Sequence, residues 1–314
     1  MSKNLSELSG KKGITNNLFD KMGKTAIADG TPSKEELAAL ADEFLIGKAN
    51  TYGTITAYDF MKPENKGKKA YVCNGSACVC ARTQKEVQQT LEKHYDANEI
   101  GHMTCLGRCY ENSAFHLNGN NYSGTDIQNI ATLKNTQTSA SKSINLTAGK
   151  SKTALLTSAY EGFEKHYEVF KNVLKTDSNQ VLEEIKKSNI RGRGGAGFPM
   201  GFKWEACRNE KNADKFIICN ADEGDPGAYS DRYLLEEQPH AVLLGMMIAG
   251  YCTHARWGIL DIRAEYPESI TIVQNAIDEI RANNLLGKNI NESGFDFDFK
   301  IIKAQGDYIC GEET

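Results

Sequence analysis

The pattern of hydrophobic and polar positions differs between the two parts of the chain that lie before and after the polar stretch at residues 134–152. Residues 33–61 carry two helical patterns, and residues 63–133 then follow the order strand, helix, strand, β-hairpin, helix. From residue 154 onward, helical and strand patterns alternate, which is typical of an open, mostly parallel sheet. The sequence therefore predicts an α/β protein with a small first domain and a larger second one.

Composition shifts give the predicted domain boundaries. The predicted segments are an N-terminal arm and helical segment (1–62), a small α/β domain (63–133), a linker (134–152) and a second α/β domain (153–314). Residues 1–32 are polar and weakly periodic, so we expect a loose arm there. Residues 306–314 have loop character and no terminating element, so we expect the second domain to be truncated.

The composition narrows the classes of partner. The chain has 314 residues and a net charge of −4, which argues against a nucleic-acid partner and against an anionic membrane. No secretory signal is visible, and the longest apolar run, residues 241–252, is too short to span a bilayer. Nine cysteines without an export signal predict a cytoplasmic, reducing environment, where clustered cysteines more often bind metal than form disulfides.

Two cysteine pairs in the first domain carry the clearest chemical signal. Cys73 and Cys78 form a C-x4-C pair at the end of an apolar strand, and Cys105 and Cys109 form a C-x3-C pair. Four thiolates in two close pairs can hold a [2Fe–2S] cluster, and the same residues leave a structural zinc site open as the alternative. Cys80 follows the first pair closely, and we interpret it as a packing residue rather than a ligand.

A glycine-rich segment marks the second domain. Residues 191–199 hold four glycines in six positions, a composition that lets backbone N–H groups approach a phosphate. Pro199 suits the first position of a following helix, whose N-terminus would favour an anion. Arg193 and Lys203 can neutralise phosphate oxygens. A plain flexible turn remains the alternative interpretation of this segment.

An acidic segment follows the next strand. The strand predicted over 215–219 leads directly into Asn220, and Asp222, Glu223 and Asp225 come next. Parallel α/β sheets bind ligands outside the carboxyl ends of their strands, so these side chains are candidates for ligand contacts. Solvated loop acids remain the alternative.

Three motifs together resemble a known family. The segments RGRGGAGFPMGFKW (191–204), CNADEGDPGAYSDR (219–232) and YICGEET (308–314) are similar to the flavin-binding motifs of the NADH-oxidising subunit of respiratory complex I. They are also similar to those of the diaphorase subunits of NAD-linked and electron-bifurcating hydrogenases and of NAD-dependent formate dehydrogenases. RAEYP (263–267) is closest in character to the hydrogenase-type diaphorases.

The first domain resembles the thioredoxin-like [2Fe–2S] ferredoxin of the partner subunit of complex I, and this resemblance favours a cluster over zinc. It implies a thioredoxin-like [2Fe–2S] domain followed by an open, incomplete α/β FMN-binding domain. The implied cluster ligands are Cys73, Cys78, Cys105 and Cys109.

The resemblance also implies site residues in the second domain. FMN phosphate and ribityl would be held by Gly192, Arg193, Gly194, Gly195 and Lys203. The ribityl chain and flavin ring would contact Asn220, Asp222 and Glu223. The flavin edge and NADH pocket would be lined by Phe198, Asp225, Tyr308, Glu312 and Glu313, with Gly311 allowing close approach. No protein acid or base is implied at the reacting carbon, because the cofactor supplies the chemistry.

The implied function is the flavin subunit of an NADH dehydrogenase module. Its cofactors would be FMN, NAD(H) and a [2Fe–2S] cluster, with [4Fe–4S] clusters expected only in a C-terminal part beyond this chain. Its partners would be other iron–sulfur subunits of a hydrogenase, formate dehydrogenase or complex I-like assembly. The alternatives are a non-catalytic [2Fe–2S] electron carrier or assembly subunit with a degenerate nucleotide-binding domain, and a zinc-stabilised assembly subunit.

Overall fold

The N-terminal helices of the protein pack as a small apolar layer in a computed structural model, which describes residues 18–29, 31–124, 126–135, 155–193 and 195–304. The helices are α1 (Leu18–Asp29), α2 (Lys34–Phe44) and α3 (Lys48–Ala57). The two helices expected over 33–61 are confirmed. The loose arm expected over 1–32 is wrong for residues 18–29, because α1 buries Leu18, Met22 and Ala26 on one stripe.

The first α/β unit contains a four-stranded mixed sheet. Its elements are β1 (Ala70–Cys73), α4 (Ser76–Ala81), α5 (Gln84–Leu91), β2 (Ile100–Met103), β3 (Phe115–Leu117), β4 (Asn120–Tyr122) and α6 (Ile130–Leu133). The strand order is β2-β1-β3-β4, with β1 and β2 parallel and the other pairs antiparallel. The order of elements expected from the sequence is confirmed.

The chain reverses direction between β3 and β4 through a two-residue turn. Asn118 and Gly119 both have positive φ, 50° and 82°, as a two-residue type I′ turn requires. Phe115 and Tyr122 then face each other across the strands, with their rings stacked 5.5 Å apart. Both side chains are fully buried in the core of this unit.

The second unit is built on a parallel sheet. Its elements are α7 (Phe163–Val173), α8 (Ser178–Lys187), α9 (Met200–Asn209), β5 (Phe216–Ala221), α10 (Ser230–Glu237), α11 (Pro239–Thr253), β6 (Trp257–Arg263), α12 (Pro267–Ala282) and β7 (Asp298–Ala304). The strand order is β5-β6-β7, all parallel, as the alternating pattern predicted. Strand β5 is longer than expected, and it includes Asn220.

The core of the second unit lies between the sheet and helices α7, α11 and α12. Glycines at two positions allow the closest packing, since a Cβ on Gly250 would lie 2.4 Å from the Phe297 ring and one on Gly258 would lie 2.5 Å from the Phe299 ring. Strand β6 supplies the fully buried Leu260 and Ile262. In the part of the chain that the structure describes, no helix is both long enough and apolar enough to cross a bilayer.

His116 on β3 gives the first unit a predictable response to acid. Its Nδ1 lies 2.7 Å from Asn121 Oδ1, and burial lowers its pKa below the usual value. The unfolded chain therefore binds a proton near pH 6.5 that the folded chain does not bind, so stability falls as pH falls. We expect the free energy of unfolding to fall by about 1 kcal/mol between pH 7.5 and 5.5 through this group.

The measurement is urea unfolding followed by circular dichroism at the two pH values. The His116→Phe variant keeps an aromatic ring against Tyr71, whose ring lies 5.8 Å away, but cannot titrate. It should lose about 1 kcal/mol less than the native chain over the same pH interval. An equal loss in both proteins would show that His116 does not carry the effect.

Candidate functional site

The four paired cysteines of the first unit converge at one end of its sheet. Cys73 ends β1, Cys78 lies in α4, and Cys105 and Cys109 lie in the loop after β2. The sulfurs of Cys105 and Cys109 are 3.3 Å apart. Gly75 sits between the two pairs, because a Cβ there would lie 3.3 Å from the sulfurs of both Cys73 and Cys105.

Backbone amides point at these sulfurs. Gly75 N–H donates to Cys73 Sγ and Gly107 N–H donates to Cys105 Sγ, each at 3.4 Å. The hydrogen bond with Cys73 lowers the pKa of Cys78 to about 7, although burial opposes the shift. Hydrogen bonds from Cys109 and Cys73 lower the pKa of Cys105. Hydrogen bonds to neighbouring thiols raise the pKa values of Cys73 and Cys109. The site therefore favours the thiolate, the form that binds iron or zinc, at one cysteine of each pair.

The donor set fits a metal centre that takes four sulfurs. All four cysteines are free thiols, and three of them are buried. Among the described residues, no group of three or more histidine, cysteine or carboxylate side chains is already arranged to hold a metal ion. Four thiolates on one zinc would sit about 3.8 Å apart, given Zn–S bonds near 2.3 Å, so the Cys105–Cys109 contact would have to widen slightly. Cys80 is exposed, so its expected role in packing is wrong.

The glycine-rich segment forms a closed loop before α9. Gly192 N–H donates to the Phe198 carbonyl at 2.9 Å, and this bond closes the loop at its base. Gly195 and Gly197 have φ of 116° and 61°, which residues with side chains rarely adopt. The loop backbone and Arg193 are exposed, so both are available to a ligand.

Helix α9 begins one residue later than expected. Pro199 is its N-cap residue, with extended backbone, and Met200 is the first helical residue. Lys203 in the first turn and Phe198 just before the helix are both exposed. The helix N-terminus, the exposed cations and the open glycine backbone are suited to binding a phosphate group.

The acidic segment after β5 splits into an exposed part and a buried part. Asn220 and Asp225 are exposed, and Asn220 Oδ1 accepts a hydrogen bond from Asp222 N–H at 3.1 Å. Asn220 is paired with Asp261 of β6 in the sheet register. Burial, reinforced by the charge of Asp222, raises the pKa of Asp261. Polar and acidic groups thus gather at the carboxyl end of β5, as predicted, and Asp261 of β6 adds a carboxyl group that was not predicted.

Glu223 plays a different part from the one expected. Its carboxylate caps α10 by accepting hydrogen bonds from the backbone N–H groups of Asp231 and Arg232, at 2.9 and 3.1 Å. It also accepts hydrogen bonds from the hydroxyls of Ser230 and Tyr266, each at 3.0 Å. These bonds occupy the carboxylate, so the side chain of this residue is not free to face a cofactor.

The acidic segment lies directly against the cysteine loop of the first unit. Hydrogen bonding with Cys105 raises the pKa of the Cys109 thiol, and the backbone N–H of Gly227 opposes this rise. The guanidinium of Arg263 donates to the Glu223 carbonyl at 2.5 Å and to the Cys105 carbonyl at 3.4 Å. The two candidate sites, predicted separately from the sequence, therefore meet at one junction.

Sequence reasoning did not assign the side chains that make this junction. Arg232 and Arg263 of the second unit are buried, and Arg232 donates to the Gly107 carbonyl at 2.7 Å. Asn121 of the first unit donates to the Glu265 carbonyl at 2.7 Å. A usable signal was present, because the RAEYP segment begins at the carboxyl end of β6, beside the end of β5.

Several predicted site residues have no described placement. Those outside the described residues are Gly194, Tyr308, Gly311, Glu312 and Glu313. Of the residues expected to line the NADH pocket, the structure therefore describes Phe198 and Asp225.

The second unit matches a family of known proteins in sequence. The family model described as the Nuo51 FMN-binding domain matches residues 185–314. The NADP-reducing hydrogenase subunit HndC of Solidesulfovibrio fructosivorans is 47% identical over 148 residues, covering 47% of this chain and 30% of that protein. The mitochondrial NADH-ubiquinone oxidoreductase 51 kDa subunit of Neurospora crassa is 42% identical over 149 residues, covering 46% of this chain and 30% of that protein. The matched stretch thus spans 30% of the length of each of these relatives.

Solved structures match nearly the whole chain in fold. An NAD+-reducing [NiFe]-hydrogenase in its H2-reduced state aligns with a TM-score of 0.68 at 23% identity, covering 95% of this chain and 53% of that one. The air-oxidised state of such a hydrogenase aligns with a TM-score of 0.64 at 21% identity, covering 94% and 52%. At these identities the likeness concerns the fold, which both units share with that structure. The sequence match concerns the second unit, in which residues 185–314 are similar to the Nuo51 FMN-binding domain.

Proposed function

We propose that this protein is the flavin subunit of an NADH dehydrogenase, or diaphorase, module. It would accept a hydride from NADH on FMN and pass single electrons to iron–sulfur clusters. The observation that carries this proposal is the junction between the two candidate sites. Arg232 and Arg263 of the second unit donate to carbonyls of the cysteine loop, and Arg263 also donates to the Glu223 carbonyl of the acidic segment, so a flavin and a cluster held there would be neighbours.

The phosphate end of FMN would lie at the glycine loop. The exposed backbone of Gly195 offers an N–H group, Gly192 closes the loop at its base, and Arg193 and Lys203 offer charge at the N-terminus of α9. Gly194 is the remaining member of the set of residues proposed to hold the phosphate end of FMN.

The ribityl and ring of FMN would lie over the carboxyl ends of the strands. Asn220 and Asp222 can accept hydrogen bonds from ribityl hydroxyls, and Glu223 would contribute its backbone rather than its side chain. The proposed nucleotide pocket contains Phe198 and Asp225, together with Tyr308, Gly311, Glu312 and Glu313. Phe198 is 58% exposed, which leaves its ring free to stack on a ligand.

FMN bound there would supply the redox chemistry, because it can accept two electrons as a hydride and release them singly. The chain's own residues need supply no acid or base for this. They hold the phosphate, orient the ring and keep the cysteine loop against the flavin segment.

The first unit would be a thioredoxin-like [2Fe–2S] domain with Cys73, Cys78, Cys105 and Cys109 as its ligands. The converging free thiols and the backbone N–H groups aimed at their sulfurs support this assignment.

The wider setting is also part of the proposal. Relatives of the second unit are named as subunits of hydrogenases and of NADH-quinone or NADH-ubiquinone oxidoreductases, which supports other iron–sulfur subunits as partners. We place the protein in the cytoplasm, free or peripheral to a membrane assembly. The proposal keeps the predicted domain boundaries, which divide the chain into 1–62, 63–133, 134–152 and 153–314. Residues 136–152 lie outside the described residues.

A binding measurement tests the phosphate assignment. Replacing Lys203 with alanine removes one exposed cation from the N-terminal turn of α9. Charge-assisted hydrogen bonds contribute about 1.5–3 kcal/mol, so the dissociation constant for FMN should rise at least about tenfold. Quenching of FMN fluorescence on titration with the protein measures this constant.

The matched control is Lys211→Ala, an exposed lysine just after α9 that lies outside the proposed site. Its FMN affinity should equal that of the native chain. Equal losses in both variants would indicate a general effect of charge, and no loss in Lys203→Ala would remove this lysine from the site. A native chain that does not bind FMN at all would overturn the proposed function.

A further inference from the structure

Backbone carbonyls of the loop that carries Cys105 and Cys109 accept hydrogen bonds from two side chains that the sequence analysis did not assign to any site. Arg232 Nη1 donates to the Gly107 carbonyl at 2.7 Å, and Arg263 Nη2 donates to the Cys105 carbonyl at 3.4 Å. Both arginines belong to the second unit. Half of the candidate ligand set is therefore fixed from outside its own domain.

Arg232 is an unusual residue to find at such a contact. It is 1% exposed, and its guanidinium also donates to Glu236 at 2.8 Å and to Glu268 at 3.2 Å. The guanidinium lies over the ring of Tyr266 at 5.1 Å. A charge is buried this deeply only where it is fully paired, and Arg232 is paired with two carboxylates and with the Gly107 carbonyl.

Arg263 ties the same loop to the acidic segment. Its Nη1 donates to the Glu223 carbonyl at 2.5 Å, and its Nε donates to Glu265 at 3.2 Å. It too lies over the ring of Tyr266, at 5.1 Å. One aromatic ring is thus covered by two guanidiniums, and both guanidiniums reach the cysteine loop.

The loop itself contributes a third buried cation. Arg108, between the two cysteines, donates to Glu268 at 3.4 Å, and Glu268 also accepts from Arg232. A single carboxylate therefore bridges an arginine of each unit. The guanidiniums of Arg232 and Arg263 are the groups of this network that donate to the loop carbonyls.

We propose that Arg232 and Arg263 are positioning residues that hold the cysteine loop and raise the reduction potential of the [2Fe–2S] cluster bound there. This inference rests on the cluster assigned in the proposed function. Reduction adds one electron to the cluster and no atom leaves, so the cluster becomes more negative by one charge. Buried positive charges beside the loop stabilise that added charge, because a low-dielectric interior screens it weakly.

The test is a redox titration of the full chain, in which dithionite supplies the electron through mediators and electron paramagnetic resonance reports the reduced cluster. Arg232→Gln keeps a donor for the Gly107 carbonyl but removes the charge and leaves Glu236 and Glu268 behind. We expect the equilibrium constant for reduction to fall about tenfold, which corresponds to ~59 mV toward lower potential for one electron. Arg232→Lys keeps the charge, so its potential should stay near the native value.

Arg281→Gln is the matched control. It removes one arginine charge from the same unit, because the exposed Arg281 of α12 pairs with Asp278 of the same helix and with Asp298 at the start of β7. Its potential should equal that of the native chain. A shift in Arg232→Gln but not in Arg281→Gln or Arg232→Lys supports the inference, since a purely structural role would not follow the charge.

An unchanged potential in Arg232→Gln, with full iron and sulfide content, would overturn the inference and leave the proposed function standing. If Arg232→Gln does not accumulate as folded protein, Arg263→Gln is titrated in the same way, and an unchanged potential there is equally decisive. A native chain that holds no iron or sulfide overturns the cluster assignment in the proposed function instead.

Discussion

Replacing Cys73 with serine is expected to remove the cluster from the protein while FMN remains bound. Cys73 ends β1 and is 1% exposed, and its sulfur lies beside those of its neighbours around Gly75. Serine is almost the same size, so the strand should keep its packing. The hydroxyl is a poor substitute for a thiolate, because iron–sulfur clusters are held by sulfur ligands.

The result is read from iron, acid-labile sulfide and visible absorption of protein purified without oxygen. We expect iron and sulfide to fall to near zero in Cys73→Ser. Cys80→Ser is the control, because Cys80 lies in the same helix as Cys78 but is exposed. The Cys80→Ser variant should keep the iron and sulfide content of the native chain. A variant at Cys73 that retains the native spectrum would contradict the ligand set, and zinc without sulfide in the native chain would favour the structural-zinc alternative.

Replacing Gly107 with alanine is expected to destabilise the junction by about 2–5 kcal/mol. Two costs add at this position. Its φ of 70° is left-handed, which costs a residue with a side chain about 1–2 kcal/mol. The added Cβ would also lie 2.3 Å from the Tyr266 ring, and overpacking of this kind costs about 1–3 kcal/mol. Relief requires Tyr266 to move away from Glu223, to which it donates a hydrogen bond.

Amide hydrogen exchange read by mass spectrometry measures the effect in peptides that cover β1, β3 and the start of α12. Gly119→Ala is the control, because Gly119 has a φ of 82° but open space around its Cβ position. It should lose only the backbone cost, about 1–2 kcal/mol. Equal losses in the two variants would show that contact with Tyr266 adds nothing at Gly107.

The sequence predicted the parts of the fold and site that depend on local pattern. The alternation of helices and strands gave the parallel sheet, and the Asn118–Gly119 turn gave the hairpin. Cysteine spacing predicted a set of thiols that the structure brings together. The strand predicted over 215–219 placed Asn220 and Asp222 at the carboxyl end of β5, and their contact with a ligand stays a prediction.

The remaining features depend on contacts between residues far apart in sequence. Helix α1 was missed because its short apolar stripe is stabilised by packing against Ile55 and Met61 rather than by its own periodicity. Arg232 and Arg263 look like ordinary surface charges in sequence, and their burial depends on partners in the other unit. The same reason explains Glu223, whose carboxylate is occupied by the start of α10.

The central claim is that one junction of this protein holds a flavin that NADH can reduce beside a two-iron cluster. The most direct measurement mixes the protein, loaded with FMN, iron and sulfide, with NADH in the absence of oxygen and follows the flavin absorbance. We predict one FMN, two iron and two sulfide per chain, and bleaching of the flavin by NADH. A protein that stays colourless after loading, or a bound flavin that NADH does not bleach, would contradict the account.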